Sequence, residues 1–176
     1  MKTKLPLHDK AEIAAAVEAM ADVILARHGQ PPVLVGIRRG GVPLAERLAA
    51  VVEARTGQKT ACGIVDINLY RDDWSKASAF PKVGRTDISF SLEGRRVVLV
   101  DDVLFTGRTV RAALGVLTDF GRSSRVELAV LVDRGHRETP IQPDYVSFTI
   151  PTEARDIVEV DFSGEEGVFL LKDDGA

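Results

Sequence analysis

The chain has 176 residues, of which 45% are hydrophobic and 28% are charged, and its formal net charge is −3. This balance excludes an intrinsically disordered chain, and the negative net charge excludes a nucleic-acid binder that is basic over its whole surface. The length suits one compact domain, so we expect residues 1–176 to fold as a single domain.

The sequence predicts no membrane segment, no secretory signal and no cysteine-based site. Its apolar runs fall short of the roughly 20 residues that a membrane helix needs, and the basic residues 1–6 lead into no apolar core. The single cysteine, Cys62, excludes an intrachain disulfide and a cysteine-rich zinc site, and it fits a cytoplasmic protein. Because Cys62 lies in an apolar stretch, we expect it to be a small core residue.

Helical and extended patterns alternate along the chain. Apolar residues recur at helical spacing from Asp9 to about Arg27, where a glycine and two prolines follow and end the helix. This alternation favours an α/β fold with a mostly parallel, twisted sheet flanked by helices. Further helices are predicted over residues 42–55 and 110–117, and strands over residues 33–37, 60–68, 96–100, 126–132, 145–150, 157–161 and 167–171.

A polar, aperiodic segment, about residues 69–87, interrupts this alternation. It begins with Tyr70-Arg71-Asp72-Asp73 and contains Pro81. A connection of this length inside a compact domain is usually a functional loop or a disordered segment, although part of it could form a hairpin. We expect it to be a flexible lid, and we use that name for residues 69–87.

The segment with the clearest chemistry begins where an apolar strand leads into Asp101 and Asp102. A short loop then leads to Thr106-Gly107-Arg108-Thr109 at the start of a helix. Ligands of α/β sheets bind beyond the carboxyl ends of the strands, and two acids placed there can accept hydrogen bonds from vicinal hydroxyls. The loop offers N–H groups and hydroxyls to a phosphate at a helix start, and its glycine permits close approach. The pattern therefore suits a ribose 5-phosphate.

Each half of this pattern also occurs in proteins of different function. Paired acids alone could be a solvated strand end or a magnesium site. A receiver domain also has acids at strand ends, but its acid pair normally ends the first strand, and this chain has a different order. The combination of strand, paired acids and Thr-Gly-Arg-Thr is far more specific, and it favours phosphoribosyl binding.

Residues 97–109 resemble the phosphoribosyl pyrophosphate motif of type I phosphoribosyltransferases. More narrowly, residues 69–73, 97–111 and 131–138 resemble the family of pyrimidine operon regulators that are also uracil phosphoribosyltransferases. The resemblance covers nearly the whole chain and is weakest at the two ends. It implies the type I phosphoribosyltransferase fold, with the flexible lid and a small hood formed by about residues 133–145 and the C-terminal strands.

The resemblance implies two functions. The first is a pentosyl transfer in which uracil and phosphoribosyl pyrophosphate give UMP and pyrophosphate, with Mg²⁺ bound mainly through phosphoribosyl pyrophosphate and not by a dedicated protein metal site. The second is a regulatory role in which the protein senses UMP or UTP and binds the leader mRNA of the pyrimidine operon to cause transcription attenuation. It also implies a cytoplasmic homodimer or higher homo-oligomer with no membrane partner.

The resemblance also implies roles for individual residues. Asp101 and Asp102 would hold the ribose diol, residues 106–109 the 5-phosphate, and Arg39 with Gly40 the pyrophosphate. Since the displacement passes through an oxocarbenium-like state, Arg39, Arg71 on the lid and Mg²⁺ would stabilise the departing charge. The implied catalytic residues are Asp101, Asp102, Arg71 and Arg39, and the implied substrate-binding residues are Arg39, Gly40, Asp101, Asp102, Val103, Leu104, Phe105, Thr106, Gly107, Arg108, Thr109, Asp133 and Arg134.

We expect different roles for the residues of the hood motif and for the histidines. Asp133 and Arg134 would begin the hood, where backbone groups would read uracil. His136 follows them, but no serine or cysteine nucleophile motif accompanies it, so we expect a structural or RNA-facing role and not general-base catalysis. His8 and His28 lie near helix ends and are expected to face solvent.

The RNA surface implied by the resemblance lies on the first helix and on the segment after the hood motif. Arg137 retains the basic residue of the family and is the implied RNA-binding residue. Glu18 and Asp22 replace threonine and histidine of the relatives, and Gln142 and Phe148 replace arginine and lysine. Because acids repel phosphate, we expect weak RNA binding by this surface.

Two other functions remain open. The protein could be a non-catalytic RNA-binding regulator that senses UMP or UTP in its pocket. It could also be a phosphoribosyltransferase for another base, since the phosphoribosyl motif does not contact the base. Asp133 and Arg134 favour uracil.

Overall fold

The structure, a computed structural model, describes residues 2–67 and 86–173. The predicted lid, residues 69–87, and with it Arg71, therefore lies outside the described residues, except for Thr86 and Asp87. The elements are β1 (Lys2–Asp9), α1 (Lys10–His28), β2 (Val33–Ile37), α2 (Gly41–Thr56), β3 (Cys62–Val65), β4 (Arg96–Leu104), α3 (Arg108–Leu117), β5 (Arg125–Asp133), β6 (Tyr145–Thr149), β7 (Ile157–Asp161) and β8 (Gly167–Asp173). A 3₁₀ turn, Thr118–Phe120, follows α3.

The central sheet has five strands in the order β3-β2-β4-β5-β6, and all four neighbouring pairs are parallel. Helices α1 and α2 pack on one face, against residues such as Val98 and Val100 of β4. Helix α3 packs on the other face, against Val97 and Leu99 of the same strand. Successive side chains of β4 thus enter two different cores, which explains its continuous apolar run. The predicted α/β fold with a mostly parallel sheet flanked by helices is confirmed.

A second, antiparallel sheet has the order β1-β8-β7. The sequence pattern predicts strands at the positions of β7 and β8 but none over residues 2–9. The missed strand pairs with β8 at the other end of the chain, with Lys4 opposite Leu171 and Pro6 opposite Phe169. This pairing is set by residues that lie 158 to 171 positions away, so local pattern does not reveal it.

Local signals set the ends of α1. The Asp9 carboxylate accepts the Glu12 N–H, and the Glu12 side chain accepts the Asp9 N–H, which together form a capping box. At the other end Gly29 takes a left-handed conformation with φ 69°, and its N–H donates to the Leu25 carbonyl. The observed helix extends one residue beyond the predicted end at Arg27.

Two expectations about single residues were wrong. Cys62 is exposed and not a core residue, because it begins β3 at the edge of the central sheet. Partial burial, with the nearby Glu46 and Glu53, raises the pKa of its thiol to about 11, so Cys62 is not a thiolate at neutral pH. His28 does not face solvent: its side chain is 2% exposed, and its Nε2 lies 2.6 Å from Glu127 Oε2.

None of the helices within the described parts of the chain combines the length and the apolar character needed to cross a membrane.

Candidate functional site

The candidate site lies at the carboxyl edge of the parallel sheet, where β2, β4 and β5 end. The sequence predicted that β4 stops before the acid pair, but the strand continues through Asp101 and Asp102 to Leu104. It continues because Asp101 and Val103 still pair with β5, opposite Val130 and Val132. The two acids are therefore held by strand backbone and not by a mobile loop.

Asp101 and Asp102 have different environments although they are adjacent. Asp101 is buried, with 6% exposure, and its Oδ1 accepts the Asp102 N–H at 3.0 Å. Burial, together with the neighbouring charge of Asp102, raises the pKa of the Asp101 carboxyl well above its ordinary value. Asp102 is half-buried and faces the loop that follows β2. The pair thus offers one carboxyl that tends to keep a proton and one that is placed to accept hydrogen bonds.

The loop between β2 and α2 lies directly against the acid pair. A Cβ on Gly40 would overlap the Asp102 carboxylate, and a Cβ on Gly41 would overlap the Val100 carbonyl. Only glycine permits this approach. The structure therefore brings the predicted residues Arg39 and Gly40 next to Asp102, with the Arg39 side chain exposed.

The loop before α3, residues 106–109, forms the second wall of the site, and we call it the phosphate loop. Gly107 precedes the helix with φ 85° and has no side chain that could cap it, and the Arg108 N–H donates to Thr106 Oγ1 at 3.4 Å. The N–H groups at a helix start, with the helix dipole, form a site for an anion. A cavity of about 330 Å³ is lined by both this loop and Asp101.

Two residues that the sequence analysis missed hold the phosphate loop from behind. The Thr139 hydroxyl and the Glu138 N–H both donate to the Thr106 carbonyl, each at 2.9 Å. The Glu138 carboxylate also accepts from Arg108 Nε at 2.7 Å, so the Arg108 side chain points along the surface. Glu138 was visible in the sequence as the end of the hood motif, but its contact with residues 30 positions earlier was not.

The predicted hood segment begins at the end of β5 and crosses over the end of β4. The Arg134 N–H donates to the Leu104 carbonyl at 3.1 Å. The Arg134 guanidinium is buried over the Phe105 ring, 4.0 Å from its centroid, and donates to the Glu153 carbonyl at 2.8 Å. His136 Nε2 lies 2.7 Å from the Thr152 carbonyl oxygen. These contacts fix the backbone of the hood beside Phe105.

Arg137 joins the hood to the phosphate loop. Its guanidinium donates to Asp133 Oδ2 at 2.6 Å, to the Phe105 carbonyl at 3.0 Å and to the Ile141 carbonyl at 2.9 Å. The side chain is 14% exposed. These contacts give Arg137, which the resemblance implied as an RNA-binding residue, internal partners on three segments.

Glu18 and Asp22 lie on α1, and Phe148 lies beside it. Arg55 of α2 pairs with both acids, at 3.1 Å from Asp22 Oδ1 and 3.4 Å from Glu18 Oε2. Phe148 stacks on His8, with ring centroids 3.7 Å apart. The two acids therefore have a cation between them, which the sequence alone did not show.

A further pair, Arg38 and Asp66, was also missed. Arg38 Nε lies 3.3 Å from Asp66 Oδ2, and the Arg38 N–H donates to the Val65 carbonyl. The pair fixes the start of the Arg39–Gly40 loop against β3. The signal in the sequence was only an acid after a short strand, which is too common to single out.

The comparisons with known proteins agree with this geometry. Residues 6–163 match the family model described as the phosphoribosyl transferase domain. The chain is 47% identical over 176 residues to the bifunctional protein PyrR of Pelotomaculum thermopropionicum, with 97% of each chain covered. It is 44% identical over 181 residues to the bifunctional protein PyrR of Thermus aquaticus, with both chains covered completely.

Solved structures show the same fold. The hypoxanthine phosphoribosyl transferase of Trypanosoma cruzi matches with a TM-score of 0.71 and 19% identity, over 96% of this chain and 91% of that one. A hypoxanthine-guanine phosphoribosyltransferase of Bacillus anthracis matches with a TM-score of 0.72 and 17% identity, over 98% and 99%. By fold, matching domain and full-length relatives, the chain belongs to the phosphoribosyltransferase family and, within it, to the bifunctional PyrR proteins.

Proposed function

We propose that this protein transfers the phosphoribosyl group of phosphoribosyl pyrophosphate to uracil, forming UMP and pyrophosphate, and that it also regulates pyrimidine genes by binding RNA. The observation that carries the enzymatic half is one arrangement. Asp101 and Asp102 lie between the phosphate loop and the Arg39–Gly40 loop, and this position supports a diol site between two anion sites. An ordinary surface loop has no need of two acids held between two glycine-containing loops.

The phosphate and the ribose are held by different chemistry. The 5-phosphate binds the N–H groups of residues 106–109 at the start of α3, where Gly107 lets the backbone approach. The ribose hydroxyls donate to Asp102, and Asp101, when protonated, can donate a hydrogen bond in turn. Held at both ends, the ribose presents its anomeric carbon towards the hood.

The departure of pyrophosphate depends more on stabilising its negative charge than on the presence of a strong base. The loop around Gly40 supplies close backbone contact, and the exposed Arg39 supplies a cation. Arg71 on the lid, which lies outside the described residues, would add a second cation as the lid excludes water.

Mg²⁺ fits this site as a ligand held mainly by the substrate. Within residues 2–67 and 86–173 no group of three or more metal-ligating side chains is present, whereas Mg²⁺ takes six oxygen ligands. Asp101 and Asp102 can supply at most part of that set, and the substrate oxygens and water supply the rest. Bound there, the ion would neutralise charge on the departing pyrophosphate.

The base is read by the hood. Arg134 and His136 are occupied by carbonyl groups of residues 152–154, so their side chains fix the backbone and do not act as bases. Uracil has a fixed pattern of N–H donors and carbonyl acceptors, which rigid backbone groups can match. Phe105 lies at the same end of the site, beneath Arg134.

A turnover assay with uracil, hypoxanthine, guanine and orotate tests the enzymatic half. We expect product only from uracil, and only while Mg²⁺ is present. Turnover of a purine would assign another base to this site. No turnover of any base, with UMP still bound in calorimetry, would favour the non-catalytic nucleotide sensor.

The regulatory half carries its own proposals. We propose that UMP or UTP in the phosphate loop is sensed at Arg137, because that guanidinium contacts both the Phe105 carbonyl before the loop and the hood. The RNA partner is a pyrimidine-operon leader hairpin, and the protein is a cytoplasmic homo-oligomer. Filter binding of the hairpin with and without UMP, and sedimentation of the free protein, test these statements.

A further inference from the structure

A basic hollow lies at the amino edge of the central sheet, opposite the candidate active site. It has a volume of about 460 Å³, and its lining includes His28, Gln30, Gly94, Arg95, Arg96 and Ser124. Arg96 begins β4, a strand of nine residues whose other end carries the phosphate loop. At 3.3 Å per residue the two sites are about 26 Å apart, so the hollow is not part of the reaction site.

Like charges meet at the rim of this hollow. Arg96 of β4 and Arg125 of β5 are direct partners across the parallel pair, and their side chains point to the same face of the sheet. Like charges placed opposite each other are destabilising. Arg125 is compensated by Glu127, whose Oε1 lies 3.0 Å from Arg125 Nε. Among the described residues Arg96 has no carboxylate partner within 4.0 Å.

Two further arginines, Arg95 and Arg122, are held in place by backbone contacts beside the hollow. The Ser124 N–H donates to the Arg95 carbonyl at 2.9 Å, and the Gly94 N–H donates to the Arg122 carbonyl at 2.8 Å. Both arginine side chains are exposed, and in the described part of the chain neither has a carboxylate partner. The Arg95 guanidinium lies over the Phe90 ring, 5.6 Å from its centroid, which leaves its charge unneutralised. The two turns are thus fixed to each other while their cations remain available.

The acids nearby do not neutralise these cations. Glu127 is buried, and Tyr145, His28 and Arg125 already surround its two oxygens. The other neighbouring acid, Glu93, accepts the Arg122 backbone N–H at 2.7 Å and forms no ion pair with a described side chain. The hollow therefore concentrates positive charge in a protein whose net charge is −3.

We propose that this hollow is a binding site for phosphate groups, held by Arg95 and Arg96 of its lining and by the neighbouring Arg122, whose carbonyl accepts the Gly94 N–H. The guanidinium fork binds two phosphate oxygens at once, and a ligand with several phosphates can contact more than one of the three arginines. The same chemistry is offered by a small polyphosphate and by the phosphodiesters of an RNA strand. The proposal does not depend on the reaction at the other edge of the sheet.

The test is a calorimetric titration of the full-length protein with tripolyphosphate, with saturating UMP present to fill the phosphate loop. The test variant is Arg96→Gln with Arg122→Gln, two exposed positions whose side chains form no ion pair with a described residue. The control is Lys10→Gln with Lys172→Gln, which removes the same charge. Lys10 begins α1, about 27 Å along that helix from His28, and so lies far from the hollow.

We expect the test variant to weaken tripolyphosphate binding at least tenfold and the control to change it less than twofold. Unchanged affinity of the test variant for both tripolyphosphate and RNA, an equal loss in the control, or no binding of either ligand by the wild type would each overturn the proposal. A parallel titration with an unstructured ten-nucleotide RNA separates the sources. If the test variant loses affinity for RNA alone, the ligand is the phosphodiester backbone of RNA. If it loses affinity for tripolyphosphate, the ligand is a small polyphosphate.

Discussion

The Arg137 guanidinium contacts the Asp133 carboxylate at 2.6 Å and, through the same side chain, the Phe105 carbonyl at 3.0 Å. This relationship joins the end of β5 to the residue that precedes the phosphate loop. The sequence pattern did not connect Arg137 with Asp133, since one was expected to face RNA and the other to hold the base. The contact makes Arg137 a candidate for communication between the two proposed activities.

The first prediction concerns the loss of this contact. Arg137→Ala leaves Asp133 without its charged partner and three carbonyls without the guanidinium donor, so we expect the free energy of unfolding to fall by about 2 kcal/mol. Thermal and urea unfolding measure it. The control is Arg155→Ala, which removes an exposed ion pair with Glu153 and is expected to cost less than about 1 kcal/mol. Equal small losses in both variants would make the Arg137 contacts energetically unimportant.

The second prediction is the pH dependence of that stabilisation. Burial raises the pKa of the Asp133 carboxyl, but the hydrogen bonds from Arg137 and from the Gly135 N–H outweigh it and leave the pKa below its ordinary value. A carboxyl with a lowered folded-state pKa stabilises the fold above its unfolded pKa, and the stabilisation is lost as the pH falls through the folded value. We expect the wild type to lose more stability than Arg137→Ala between pH 6 and about pH 3. Parallel stability curves for the two proteins would contradict this.

The third prediction concerns the acid pair. Asp101→Asn with Asp102→Asn should weaken phosphoribosyl pyrophosphate binding by about 2–4 kcal/mol, because charge-assisted hydrogen bonds to the diol are lost. The free protein should keep its stability at neutral pH. The pKa of Asp101 is raised in the folded protein, so this residue lowers the stability of the fold as the pH rises above its pKa in the unfolded chain. Asparagine does not ionise and removes that cost. Calorimetry and unfolding on one preparation measure both, and unchanged affinity would remove the diol assignment.

The fourth prediction uses two glycines as a matched pair. Gly40→Ala forces a Cβ into the Asp102 carboxylate, so the loop that follows β2 must move and turnover should fall at least tenfold. Gly115→Ala in α3 meets nothing within 4 Å and lies inside a helix, where alanine is favoured by about 0.5–1 kcal/mol. That control should keep its turnover and unfold at a slightly higher temperature. Full activity in Gly40→Ala would mean that the loop lies away from Asp102 during the reaction.

The sequence was sufficient for features that depend on neighbouring residues. The helix from Asp9 to about Arg27 and the alternation of strands and helices depend on residues within a few positions of each other, and both predictions are confirmed in the structure. The acid pair and the Thr-Gly-Arg-Thr loop are also contiguous, so their shared cavity could be anticipated. Periodicity and motif spacing carry this kind of information.

The sequence failed where a partner lies far along the chain. His28 is buried because Glu127, 99 positions later, lies at the amino end of β5. Strand β1 exists because β8 lies beside it, and β4 runs past the acids because β5 continues to pair with it. The basic hollow has the same origin, since Arg96 and Arg125 meet only through strand register. None of these partners leaves a local signal.

The last prediction concerns RNA binding by the surface of α1. Glu18 and Asp22 place negative charge where the resemblance implied threonine and histidine, and Arg55 offsets part of it through exposed ion pairs at 3.4 Å and 3.1 Å. Phosphate neutralisation dominates nucleic-acid affinity and weakens as salt rises. We therefore expect the wild type to bind a pyrimidine-operon leader hairpin weakly, or only at low salt.

The substitution pair Glu18→Thr with Asp22→His tests this directly, because it removes the repulsion and releases Arg55 towards the RNA. We expect tighter hairpin binding and a steeper salt dependence, with little loss of stability, since exposed pairs contribute about 0–1 kcal/mol. Arg55→Ala is the matched control: it keeps the acids and removes their counter-charge, so it should weaken binding further. Filter-binding titrations at two salt concentrations measure all three proteins. Tight, specific binding by the wild type at physiological salt would instead place the RNA on another face of the protein. RNA binding by the variant with Arg96→Gln and Arg122→Gln would then show whether that face is the basic hollow.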